Sequence, residues 1–202
     1  GGSGGGAGAS LAAGLCSLAT GSDGGGSIRI PASFCGVYGI KPTQGRVPLY
    51  GGLPVPAFAN LFSQSGPMSR TVRDSALLLQ VLAGHDPRDA SSLRSAPDDY
   101  VAAADRGVQG LRVGWSPDFG FAEVDPDVQS STLDAVKVFG ELGAEVEDVS
   151  ISFEKSPLDA FWTMFSALSV FRYSDAAGDR TDLLTDYTRA WFKDGAEFTG
   201  SE

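Results

Sequence analysis

One stretch concentrates the residues that could do chemistry: Gly21-Ser22-Asp23-Gly24-Gly25-Gly26-Ser27-Ile28-Arg29-Ile30-Pro31. Three consecutive glycines ahead of a serine permit a backbone that side chains forbid, including close approach of a ligand to the main chain. Successive N–H groups in such a turn can converge on an anion. If a carbonyl carbon sits over Ser27, those donors point where an oxyanion would form. Nucleophile and oxyanion site would then come from one loop. The plainer reading of the same residues is a flexible glycine turn, which composition alone favours. The flanking sequence decides between them.

Other chemistries find little support. A serine hydrolase of the GxSxG type needs a histidine base; Gly1-Gly2-Ser3-Gly4-Gly5 fits that pattern only because glycine fills it. The one histidine, His85, lies in a turn beside Asp86 and reads as a surface residue. Gly4-Gly5-Gly6-Ala7-Gly8-Ala9 matches a dinucleotide fingerprint in form, but no strand precedes it and no acid follows at the expected distance. A dinucleotide-binding oxidoreductase is therefore a distant alternative. No GxxxxGK(S/T) occurs, two cysteines and one histidine make no zinc site, and Asp98-Asp99 read as solvated charge. The solutions left for Ser27 are Ser-Lys arrangements, in which a lysine of lowered pKa takes the proton.

The 202 residues are 42% hydrophobic, enough for a sizeable core and too many for wholesale disorder. The formal charge of -10 is uneven, with +3 in residues 1–70 and -13 beyond. An acidic chain without a basic stripe argues against a nucleic-acid partner. No apolar run spans a membrane. Cys16 and Cys35, in apolar or glycine-rich settings, read as buried free thiols, and a cytoplasmic location is expected. The opening Gly1-Gly2-Ser3-Gly4 shows neither an initiator Met nor a signal peptide, which suggests a chain without its original N-terminus.

The elements that must position the loop follow in order. Sixteen of the 27 glycines fall in residues 1–52. Ala7–Leu18 reads as a helix of small residues, Ala19–Ser22 as a brief buried strand, and Val37–Ile40 as another, ended by Lys41-Pro42-Thr43. Gly45 to Pro56 is loop. Thr71 and Asp74 resemble a capping box opening a helix with Val72, Ala76, Leu79 and Leu82 inward, widened by Leu77, Leu78 and Val81, and Gly84 closes it. Residues 90–109 are polar and surface-like. Leu111–Trp115 is a strand. Asp125-Pro126 starts a helix to about Leu142, with Val128, Leu133, Val136 and Phe139 inward, and Glu145–Ile151 returns as a strand. That is a βαβ unit with parallel pairing. Residues 157–175 form an aromatic helix with Phe161, Met164, Phe165, Leu168 and Phe171 as core. No closing element is read after it, and no internal repeat is found.

On these residues the chain resembles the amidase signature family. The resemblance rests on Gly1–Gly6, on Gly21 to Ala32, on Phe34-Cys35-Gly36-Val37-Tyr38-Gly39-Ile40-Lys41-Pro42-Thr43 with Gly45-Arg46-Val47, and on Gly66-Pro67-Met68-Ser69-Arg70-Thr71-Val72. It implies an α/β fold with a mixed β-sheet sandwiched by helices. Residues 1–202 would be the central part of a single such domain, truncated at both ends. It also implies hydrolysis of a carboxamide through an acyl-enzyme, without cofactor or metal. Ser27 matches the nucleophile. Ser3 matches the bridging serine, which the family holds after a cis peptide bond and uses to relay the proton. Gly24, Gly25 and Gly26, with the Ser27 N–H, match the oxyanion hole. Asp23 and Arg29 match residues that brace the loop.

Two departures stand out. The family often has a second serine where Gly4 stands. Its catalytic lysine lies upstream of the signature, which here would place it before Gly1. Lys41 matches the Lys-Pro-Thr segment and reads as structural, and Lys137, Lys155 and Lys193 sit in acidic or surface contexts. The expected activity is thus an amidase acting on a small-molecule amide, with this piece alone inactive. Its walls would come partly from 50–65 and 160–195, and a homodimer stays open. Glutamine-dependent amidotransferase A-type subunits share the signature but usually carry glutamine where Ile30 stands. A truncated, non-catalytic family member is the alternative of another class.

Overall fold

A computed structural model of the chain describes residues 2–49 and 62–198, apart from the side chains at 171–173, 175 and 176. These residues form two compact units, Gly1–Arg106 and Gly107–Glu202.

The first unit is built on a three-stranded sheet. Helix α1 (Gly5–Ala12) leads through a turn into β1 (Leu18–Asp23). Helix α2 (Arg29–Cys35) then crosses to β2 (Tyr38–Gly39). Strand β3 (Gln64–Ser69) lies between them, antiparallel to both, with Leu18 opposite Ser69, Asp23 opposite Gln64, and Gly39 opposite Met68. Leu11 of α1, Ile28 and Ala32 at α2, and Met68 of β3 are buried together as the core. The small residues of α1 let it lie close against α2: a Cβ on Gly8 would lie 3.2 Å from the Pro31 carbonyl oxygen and 3.2 Å from Cys35 Sγ. The helix stops at Ala12, because Gly14 takes a left-handed φ of 72°. Strand β1 is also not the buried run expected: its residues alternate, and only Asp23 is fully buried.

Strand β3 is not legible as a strand in the sequence. Proline is unexpected in a central strand because it cannot donate to a ladder, yet Pro67 sits there opposite Thr20, and its carbonyl accepts from Ile40 N–H. Helix α3 (Val72–Leu82) begins as expected, with Thr71 Oγ1 accepting from Asp74 N–H. Its buried face is narrower than the sequence suggests: Ser75, Ala76 and Leu79 face inward, while Val72, Leu77 and Val81 are exposed. The polar stretch after it holds the short helix α4 (Tyr100–Ala103), capped by Asp99.

The second unit contains the expected βαβ. Strands β4 (Arg112–Trp115) and β5 (Glu145–Asp148) pair in parallel, Val113 opposite Val146. Helix α5 (Pro126–Glu141) joins them, with Asp125 accepting from Asp127 N–H. The inward stripe on α5 is not realised: Val128, Leu133 and Phe139 are exposed and only Val136 is half-buried. A two-stranded sheet is too narrow to cover that face. Helix α6 (Pro157–Ala177) packs on α7 (Asp186–Glu197), an element that sequence reasoning misses although Thr185 caps it and Tyr187 and Trp191 lie one turn apart. Phe165 and Trp191 meet edge to face at 5.0 Å. Gly195 faces the Ser166 carbonyl so closely that a Cβ would lie 2.3 Å from it. Trp162 and Met164 remain exposed, so the aromatic helix is core on one side only. The Phe171 side chain and residues 50–61 lie outside the described residues, including most of the loop expected over 45–56 and part of the 50–65 pocket wall.

Candidate active site

The glycine-serine loop is a strand-to-helix turn. Strand β1 ends at Asp23, residues 24–28 turn, and α2 begins at Arg29. Two charges close this turn. The Asp23 carboxylate, wholly buried, accepts from the N–H groups of Gly26 (2.7 Å), Ile28 (3.2 Å) and Arg29 (3.1 Å). It also accepts from Arg29 Nε and Nη2, both at 2.9 Å. The residue at the helix cap, Ile28, has no polar side chain, so Asp23 reaches forward and satisfies the first N–H groups of α2 in its place. Burial alone would raise the Asp23 pKa. The hydrogen bonds from the Arg29 guanidinium and from the Arg29 and Gly26 N–H groups outweigh it, holding the carboxyl well below the usual carboxylate range. Its bond to Asp23 in turn raises the Arg29 pKa.

Gly26 requires its glycine. Its φ of 108° is one that L side chains rarely adopt, and a Cβ would lie 2.6 Å from Ile30 Cδ1. Its N–H, expected in the oxyanion hole, donates to Asp23 Oδ1. The carboxylate that closes the turn therefore occupies one of the four N–H groups expected to form that hole. The N–H groups of Gly24, Gly25 and Ser27 have no acceptor among the described residues.

Ser27 is half-buried, and its hydroxyl makes no hydrogen bond among the described residues. Its carbonyl accepts from Gly4 N–H at 3.0 Å, which brings the Ser3 segment to the loop. The approach is so tight that a Cβ on Gly4 would lie 2.3 Å from the Ser27 carbonyl oxygen. Gly4, the position that departs from the family pattern, thus has no room for a side chain in this arrangement. Ser3 itself is exposed, and among the described residues its hydroxyl makes no hydrogen bond, to Ser27 or to any other group. The expected cis peptide is not found: among the described residues no peptide bond is cis, and Gly2–Ser3 is trans.

One neighbour has no counterpart in the sequence reading. The Lys41 ammonium lies 3.4 Å from the Gly24 carbonyl oxygen and 3.8 Å from Asp23 Oδ1. Burial lowers its pKa, against the opposing pull of the Asp23 charge. Seventeen residues of separation hide this contact from local sequence reading, because the α2 crossover and β2 create it. Both cysteines are free, and each is half-buried rather than buried. His85, with Nδ1 3.2 Å from Ser92 Oγ, takes no part in the loop's hydrogen bonds. A cleft of about 620 Å³ in the second unit, lined by Trp115, Pro126, Leu133 and Asp148 among others, holds none of the expected site residues. Among the described residues, no helix is long and apolar enough to cross a membrane.

Comparison with known proteins places this geometry. The A-type subunit of the glutamyl-tRNA(Gln) amidotransferase of Synechococcus sp. (strain RCC307) is 52% identical over 150 residues, covering 74% of this chain and 30% of that protein. Its counterpart in Chromohalobacter salexigens is 42% identical over 197 residues, covering 94% of this chain and 40% of that protein. Among solved structures, a bacterial aryl acylamidase of the amidase signature family superposes with a TM-score of 0.91 at 36% identity, covering 99% of this chain and 42% of its own. The chain thus spans well under half the length of these proteins. The amidase family profile matches residues 1–199. With the signature glycines, Ser27 and the strand-to-helix turn all in place, the chain belongs to the amidase signature family.

Proposed function

We propose that the complete protein hydrolyses a small-molecule carboxamide through an acyl-enzyme on Ser27. The supporting observation is a serine beside N–H groups that have no acceptor among the described residues, on a loop braced by the Asp23–Arg29 ion pair. Ser27 Oγ attacks the carbonyl carbon and its proton passes to Ser3, whose own proton passes to a lysine upstream of Gly1. The tetrahedral oxyanion takes hydrogen bonds from the N–H groups of Gly24, Gly25 and Ser27. Collapse breaks the C–N bond, and the relay returns a proton to the departing amine. Water then attacks the ester, releasing the acid and restoring Ser27. The route needs no metal or cofactor. For it to operate, Ser3 must rotate onto Ser27, which the Gly4–Ser27 hydrogen bond keeps within one loop's reach. Residues 1–202 would be the central part of one catalytic domain.

The test is Ser27→Ala in the complete protein, assayed against a panel of anilides and primary amides. Turnover is expected to fall by about three orders of magnitude or more. Retained turnover refutes the assignment.

A second reading has a specific observation behind it, the 52% identity to one component of an amidotransferase. It requires glutamine-dependent transfer of ammonia to a carboxylate activated on tRNA, with partner subunits. Ile30, where such proteins usually carry glutamine, weighs against it. Measured glutaminase activity that rises when partner subunits are added would establish it over simple hydrolysis.

A further inference from the structure

We infer that Lys41 is a positioning residue that sets the direction of the Gly25 N–H in the oxyanion site; this rests on the reading of Ser27 as nucleophile. The Gly24–Gly25 peptide is flanked by glycines, so little in its own sequence fixes its orientation. In a trans peptide the carbonyl and the following N–H point in opposite directions in one plane, and no described peptide bond is cis. Whatever holds the Gly24 carbonyl therefore aims the Gly25 N–H the other way. The Lys41 ammonium is the group on that carbonyl, at 3.4 Å. It is anchored from the other side by Asp23 Oδ1 at 3.8 Å, and its side chain is only 25% exposed.

The surrounding donors make this consequential. Asp23 binds the Gly26 N–H, so the hole depends on the donors that remain, and Gly25 N–H has no acceptor of its own among the described residues. Without the ammonium, the peptide between Gly24 and Gly25 is free to flip. A flipped peptide would present a carbonyl oxygen to the developing oxyanion, replacing attraction with repulsion.

The experiment uses the complete enzyme with Lys41→Met, which keeps the stem and removes the charge. Turnover of an anilide, inhibition by phenylboronic acid and inhibition by benzoate are measured together with Tm. Phenylboronic acid forms a tetrahedral anion on a serine, whereas benzoate samples ground-state binding. Expected are a fall in kcat of about 10- to 100-fold, a matching loss of phenylboronic acid affinity, and little change in KM, benzoate affinity or Tm. Unchanged kcat, or equal losses for both inhibitors, overturns the inference. If Lys41→Met does not fold, Lys41→Arg decides: the same split at smaller size supports the assignment, and its absence overturns it. Ser27→Ala is run alongside. Turnover surviving in that variant removes the nucleophile reading itself, a result distinct from any Lys41 outcome.

Discussion

Replacing Asp23 by asparagine should cost the complete protein about 3 kcal/mol of stability, and the loss should shrink in acid. Asparagine keeps one acceptor oxygen, enough for Gly26 N–H. Its amide nitrogen replaces the second oxygen and faces the N–H groups of Ile28 and Arg29 and the Arg29 Nε, all of them donors. Two backbone donors at the start of α2 lose their acceptor, at about 1–3 kcal/mol each for a buried group. The Arg29 side chain is 56% exposed and can turn to water, so its ion pair adds little beyond this. The sign of the pH dependence follows from the depressed Asp23 pKa. The folded state holds the carboxyl ionised, so its contribution is fully present above the unfolded value near 4 and is lost as pH falls towards the lower folded value. Denaturant unfolding of both proteins from about pH 7 to about pH 2 measures this. The difference between them should be flat above about pH 5 and shrink below about pH 4. A difference under about 0.5 kcal/mol at neutral pH, or one that does not change with pH, would refute the role assigned to this carboxylate.

Two further substitutions probe close approaches. Gly4→Ser restores the residue the family often has, but it places Cβ against the Ser27 carbonyl. It should break the Gly4–Ser27 hydrogen bond, destabilise the protein by about 1–3 kcal/mol and lower kcat at least about tenfold, and wild-type turnover with an unchanged Tm would show that the segment relaxes freely. Gly195→Ala forces α6 and α7 apart at Ser166 and should destabilise the protein by about 1–3 kcal/mol. Unfolding followed by Trp191 fluorescence checks it, since that ring packs on Phe165 across the same contact, and an unshifted midpoint would contradict the packing.

Local chemistry is legible wherever neighbours in sequence settle it. The Thr71 cap, the Asp125-Pro126 start of α5 and the parallel βαβ follow from capping groups and periodicity, and all three are present. The signature glycines and Ser27 can be read as a candidate loop because glycine spacing restricts the backbone directly. Burial is less legible. Val128, Leu133 and Phe139 lie at helical spacing yet face outward, because a stripe says which side is apolar and not whether anything covers it.

By itself, then, the sequence determined the family, the α/β class and the turn that presents Ser27, since these depend on residues close to one another along the chain. Only the tertiary structure decided which N–H groups the turn leaves unpaired, that Pro67 lies in a central strand, and that Lys41 reaches the Gly24 carbonyl. Each of those depends on how the chain packs in space rather than on its local pattern. A hydrogen bond is settled by differences in distance of a few tenths of an ångström, and spacing along a chain does not encode them.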